Sequence, residues 1–153
     1  MLALAQGKTF GSRLNEAQGL GVPGMLGLLA DAGIKNKRFG QALEFLQQAQ
    51  LRLDADNTER FYAAEIYRLL GEIYLRSNQN LDQAEHYFSK GLKVAREQKA
   101  KLLELKLCLS LYDLSELKHN TANSRTALGQ IYRSFSEGFD TTDIIRAKQR
   151  LEN

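Results

Sequence analysis

Phe61-Tyr62-Ala63-Ala64-Glu65-Ile66-Tyr67-Arg68-Leu69-Leu70-Gly71-Glu72-Ile73-Tyr74 is the stretch that decides the fold. Within a segment from Asn57 to Ser77, Phe61, Ala64, Tyr67, Leu70, Gly71 and Tyr74 recur at three- and four-residue steps, which places them on one face of a helix. That face needs a partner, and the chain supplies one after the turn Asn78-Gln79-Asn80. Leu81, Ala84, Phe88, Gly91, Leu92 and Ala95 form a second stripe at the same helical spacing. Asn80 is placed to cap its first turn, with Gln83 reaching back to the cap amide. The two segments read as a helical hairpin.

The layout recurs on both sides. Upstream, Leu26 to Ala32 reads as a helix closed by Gly33, and Phe39, Ala42, Leu43, Leu46 and Ala49 begin another stripe. Ala42, Leu46 and Ala49 match Ala84, Phe88 and Gly91 at a constant offset of 42 residues. Downstream, Leu102 to Leu117 and Ala127 to Phe135 give a further pair, with Ala127 and Ile131 at an offset of 43 from Ala84 and Phe88. Copies at a near-constant period mean a repeat array, each unit burying its face only against its neighbours. Lys8-Thr9-Phe10-Gly11-Ser12-Arg13-Leu14 echoes Lys37-Arg38-Phe39-Gly40-Gln41-Ala42-Leu43, so the first unit reads as a half repeat that has lost its leading helix. The expectation is an all-α superhelix, one domain over 1–153, of about three and a half repeats. Its parts are a half repeat at 8–19, hairpins at 23–53, 57–98 and 101–136, and a capping helix at 141–151. Truncation from a longer parent accounts for the half repeat, and an uncapped apolar face there predicts self-association.

At the other end, Asp140 reads as an N-cap, with Phe139 and Ile144 spaced for a hydrophobic staple. Arg146, Lys148 and Arg150 suit the C-terminal end of the final helix dipole, so the C-terminus reads as a natural polar cap.

Composition agrees. Hydrophobic residues make up 43% and charged residues 25% of the 153, which is globular usage and argues against disorder. A net charge of +3 is too small to demand a polyanion partner. The single cysteine, Cys108, lies in the run Leu105, Leu107, Leu109, Leu111 and reads as core. No stretch approaches the roughly 18 apolar residues of a membrane span, and a basic leader is missing, so a cytoplasmic protein is expected.

Sequences that resemble cofactor motifs lack their context. Gly19-Leu20-Gly21-Val22-Pro23-Gly24 satisfies a dinucleotide fingerprint, but no strand feeds it, and it reads as an interhelical turn with Pro23 at the first helical position. Gly7-Lys8-Thr9 lacks the earlier glycine of a phosphate loop. His86 and His119 stand alone, without metal-ligand spacing. Lys90, Lys93, Arg96, Lys99, Lys101 and Lys106 read as a solvated convex face, because Glu97 and Glu104 interrupt them and exposed aromatics are not interleaved. No cofactor, metal or catalytic residue is expected, and the chain is not read as an enzyme.

Leu70-Gly71-Glu72-Ile73-Tyr74, followed by Ala84, Phe88 and Gly91, resembles the tetratricopeptide pattern, with a longer unit than its 34 residues. A second resemblance covers roughly residues 20–153. It rests on Ala64-Glu65-Ile66-Tyr67-Arg68-Leu69-Leu70-Gly71-Glu72, Ala84-Glu85-His86-Tyr87-Phe88, and Phe135-Ser136-Glu137-Gly138-Phe139-Asp140-Thr141-Thr142-Asp143. These are similar to the C-terminal repeat region of large bacterial proteins that join a class III adenylate or guanylate cyclase domain to a STAND-type ATPase domain. The resemblance implies a signalling parent whose cyclase and ATPase residues lie outside this chain.

Function then falls to the surface formed by the first helix of each pair. Counting from Gly71, that surface is expected to carry Glu65, Arg68, Glu72 and Arg76, with Ser110 and Leu114 on the next first helix. These six are the candidate partner-binding residues of a protein-interaction scaffold whose partner is a protein, a peptide or another domain of the parent. The alternative is a sensor groove for a small effector or nucleic acid.

Overall fold

Every periodic stretch within residues 21–55, 57–77 and 80–153, which the computed structural model describes, is helical. The expected half repeat at 8–19, the Gly7-Lys8-Thr9 sequence, and Asn78 and Gln79 of the turn lie outside the described residues. Seven α-helices follow one another among the described residues: α1 (Val22–Lys35), α2 (Phe39–Ala55), α3 (Ala63–Ser77), α4 (Leu81–Glu97), α5 (Lys101–Leu117), α6 (Ala122–Arg133) and α7 (Thr142–Glu152). A 3₁₀ helix, Asn57–Tyr62, leads into α3, and no strand occurs among the described residues. No helix is long and apolar enough to cross a membrane.

The offset of 42 residues is preserved in full between α2 and α4, which are both 17 residues long and both bury the matched triplets. The third copy departs from it. Ile131 is buried at its expected offset of 43 from Phe88, but Ala127 is only half-buried and the neighbouring Leu128 is fully buried instead. With 12 residues, α6 is shorter than α4, so it meets α5 in a different register.

Helix ends depart from the sequence reading in one consistent way. Gly33 is not a C-cap: α1 runs on to Lys35, and Gly33 lies inside it, where a Cβ would come within 3.1 Å of the Ala42 Cβ. The left-handed closing residue is Lys37, with φ 59°. Its N–H donates to the Ile34 carbonyl at 3.0 Å, and the Arg38 N–H donates to the Gly33 carbonyl at 2.8 Å, the paired bonds of a Schellman motif. The same two bonds close α4 at Lys99 (φ 55°) and α5 at His119 (φ 55°). His119 therefore serves as a turn residue.

Three starts also differ. Pro23 is at the second position of α1, behind Gly21. Asn80 caps α4, accepting from the Gln83 N–H at 3.1 Å, but its own amide donates to the Tyr74 carbonyl at 3.1 Å, so the reciprocal half of the capping box is not made. Thr141, not Asp140, precedes α7, and the Thr141 hydroxyl donates to the Gly138 carbonyl at 2.8 Å. Phe139 stays 51% exposed against the edge of Tyr132 instead of stapling the helix start.

Phe61 is the largest departure on the deciding stretch, being 75% exposed. A 3₁₀ helix advances three residues per turn, so the stripe that is regular from Ala64 onward slips before it. Tyr62 takes the inward place instead, its ring against Gly24, where a Cβ would come within 2.7 Å of the ring.

Each helix packs against the next in sequence, and the odd-numbered helices also touch one another, α1 on α3, α3 on α5 and α5 on α7. The even-numbered helices α2, α4 and α6 make no such contacts. One buried cluster runs from α1 into α5, and a second joins α5, α6 and α7, with Leu92 packed against both. Close approach is set by Gly71, where a Cβ would sit 2.4 Å from the Phe88 ring, and by Gly91, where it would meet Leu107 at 3.0 Å and the Ala64 carbonyl at 3.1 Å.

Candidate docking groove

The core stripes of α1, α3, α5 and α7 turn their apolar residues toward the even-numbered helices, which leaves the charged residues between those stripes on the other side. There they line one open groove of about 250 Å³. Four carboxylates (Asp31, Glu65, Glu72, Asp143) and five cations (Lys35, Arg68, Arg76, Lys106, Arg146) line it, with Ser110 and only Ile34, Leu69 and Leu109 as apolar neighbours.

Glu72 is the hub. Its Oε2 accepts from Arg76 Nε at 3.0 Å, its Oε1 accepts from the Ser110 hydroxyl at 3.0 Å, and Arg68 Nη1 stands 3.9 Å away. Arg68 grips Glu65 with a two-pronged pair of bonds, each 2.8 Å, the geometry a planar guanidinium makes with a carboxylate. Burial by itself would lower the Arg68 pKa, but its bond to Glu65 and the charges of Glu65 and Glu72 outweigh that and raise it. At the ends of the groove Lys35 pairs with Asp31 at 2.6 Å, and Lys106 lies 3.9 Å from Asp143.

Five of the six residues expected from the sequence, Glu65, Arg68, Glu72, Arg76 and Ser110, share this groove. Leu114 does not. It is buried to 2% exposure in the core and borders a different cavity, on the α4–α6 side, with Lys118 and Asn123. Ser110 and Leu114 are four residues apart and lie close together on α5, so spacing alone did not separate them; Leu114 joins the buried cluster that runs from α1 into α5. Asp31, Lys35, Asp143 and Arg146 were not anticipated. The first two were legible, because an acid followed four residues later by a base marks α1 (Asp31, Lys35) as it marks α3 (Glu72, Arg76).

Charges assigned elsewhere by the sequence also move. Arg146 is in the first half of α7, where it binds Asp113 of α5, whereas Arg150 lies in the last turn as expected and from there reaches the same carboxylate at 3.0 Å. Burial pushes the Asp113 carboxyl up, an effect the two arginines offset only in part. Lys106 belongs to the groove, apart from the basic stretch with which it was grouped. In that stretch Lys90 lies 4.5 Å over the Tyr67 ring and Arg96 pairs with Glu104 at 2.8 Å. Cys108 is buried, and desolvation pushes its thiol up to about 11, away from the thiolate a nucleophile requires. Of the glycine-rich sequence, Gly24 lies in α1 and makes room for Tyr62, while Gly19 and Leu20 lie outside the described residues.

No protein-family model, curated protein or solved structure matches this chain.

Proposed function

We propose that this chain is a protein-interaction scaffold of the tetratricopeptide kind, a helical-hairpin superhelix whose odd-numbered helices form a concave docking groove. The observation that carries this reading is the asymmetry of helix contacts. Odd-numbered helices touch one another and even-numbered ones do not, so the stack closes up on the odd side and splays on the other. Curvature of that kind makes the extended concave surfaces that repeat proteins use for binding. The charged, preorganised lining of the groove is suited to a polar protein segment, whereas small-ligand pockets are mostly apolar. A nucleic-acid groove is disfavoured by the same lining, which carries no aromatic ring on which bases could stack. A non-catalytic role is supported by the buried Cys108, whose thiol burial pushes up, and by groove carboxylates that each face a lysine or an arginine. The sequence resemblance supports placing this scaffold as the docking or regulatory tail of a bacterial signalling protein in the cytoplasm.

Site-specific photo-crosslinking tests the reading. A photoreactive residue in place of Arg76, in the groove, should yield discrete protein adducts in a lysate of the encoding organism, and one in place of Glu44 on α2 should not. Equal adducts at both positions, or none from the groove, would reject it.

A further inference from the structure

The charges in the groove are layered. The carboxylates are recessed, with side-chain exposures of 13% for Glu72, 28% for Glu65, 30% for Asp143 and 32% for Asp31. Arg68, at 15%, lies in the same floor. Three of the other cations stand higher, Lys35 at 73%, Arg76 at 55% and Arg146 at 47%, while Lys106, at 33%, is level with the shallower acids. Three of the four odd-numbered helices contribute a raised cation: Lys35 from α1, Arg76 from α3 and Arg146 from α7. Lys35 and Arg76 both sit in the last turn of their helices, while Lys106 and Arg146 sit in the second turn of theirs.

The recessed acids hold this arrangement in place. Glu72, the more buried of the pair, anchors Arg76 through Nε, and Asp143 stands 3.9 Å from Lys106. A segment lying in the groove therefore meets positive tips first and finds negative charge only beneath them. From this layering we infer that the partner segment is acidic, a stretch of a protein rich in Asp and Glu that crosses the groove from the Lys35–Arg76 end to the Lys106–Arg146 end. The inference rests on the docking reading above and adds the charge of the occupant. A carboxylate can accept from the Nη groups of Arg76, whose Nε alone is held by Glu72, without disturbing the floor. A basic segment has to approach through the cations to reach any carboxylate.

The experiment is an amide NMR titration of the full chain with three twelve-residue peptides, alternating Glu-Ser, Lys-Ser and Gln-Ser, and with a single-stranded DNA oligonucleotide of equal length. The acidic peptide is expected to shift amides of α1, α3, α5 and α7, and to bind more weakly as salt rises. Charge reversal in the groove, Lys35→Glu with Arg76→Glu, should weaken it by roughly tenfold, or about 1.4 kcal/mol. Reversal of equal size on the even-helix side, Arg52→Glu with Lys93→Glu, should change it less than about twofold, as expected of distant screened charges. Groove shifts that are as strong with the Lys-Ser or Gln-Ser peptide would overturn acid selection while leaving the docking reading intact. Stronger groove binding of the oligonucleotide would overturn it in favour of nucleic acid. Equal loss in both double variants would reduce it to unspecific attraction, and no groove shifts with any probe would count against both the acidic occupant and the docking groove.

Discussion

The α3–α4 hairpin and the α7 cap are held by different forces. Between α3 and α4 the fit is steric, with Phe88 fully buried against the bare backbone of Gly71 and Gly91 pressed to the Ala64 carbonyl. At α7 only Ile144 and Ala147 are buried, and Arg146 and Arg150 fasten the helix to Asp113. Shape complementarity of the first kind is insensitive to salt and intolerant of a single methyl group. Charge docking of the second kind is weak residue by residue and screened by ions.

The largest expected effect tests the steric side. Phe88→Ala should cost about 3–5 kcal/mol in urea unfolding, as a cavity in a core that cannot collapse around it. Gly71→Ala, which adds one carbon against the same ring, should cost about 1–3 kcal/mol. The sharper form is the pair: Gly71→Ala combined with Phe88→Leu should lose less than the sum of the two single losses, because the smaller side chain yields the space. Strict additivity would show that the two residues do not share that space.

On the charged side, Arg146→Ala and Arg150→Ala should each cost roughly 0.2–1 kcal/mol. Hydrogen exchange should speed up in α7 and not in α3 or α4, with a difference that shrinks in high salt. An effect on α4 exchange as large as on α7 would erase the contrast between the regions.

Smaller gains are expected where neither force acts. Lys37, Lys99 and His119 hold left-handed conformations that glycine adopts without steric cost. Replacing any one with Gly should raise stability by up to about 1 kcal/mol after the entropy of glycine is deducted. A loss on all three substitutions would mean that their side chains contribute contacts outweighing the strain.

The smallest expected effect is a slope with pH. Asp113 holds its proton more tightly in the folded chain than at its ordinary value of 3.8, burial being the main cause. Its stabilising contribution is therefore complete below pH 3.8 and is lost as pH rises through the raised folded value. Relative to Asp113→Asn, the parent protein should lose melting temperature as pH climbs from about 3.5 to 6. A gain over that window would show that the arginines outweigh the burial.

The sequence by itself determined the helices and their pairing in order. Residues at three- and four-residue steps with few prolines leave a chain little choice but amphipathic helix, and Ala84, Phe88 and Gly91 were legible as buried because their period matches that of the helix. It also brought Glu65, Arg68, Glu72, Arg76 and Ser110 to one groove, since four of them share a face of α3 by spacing alone. Only the tertiary structure decided where each helix stops, which face of α5 looks inward, and what lies opposite the expected groove residues. Lys37, Lys99 and His119 close helices because packing requires the chain to turn there, against their local preference. Phe61 faces solvent because a 3₁₀ helix shifts its phase, and Leu114 is core because it joins the buried cluster that runs from α1 into α5. The groove's second half, Asp143 and Arg146, depends on α7 folding back onto α5 across more than thirty residues of chain, as their bonds to Lys106 and Asp113 record. Helical periodicity reaches only a few turns, so a contact at that separation is set by how the helices stack and cannot be read from local spacing.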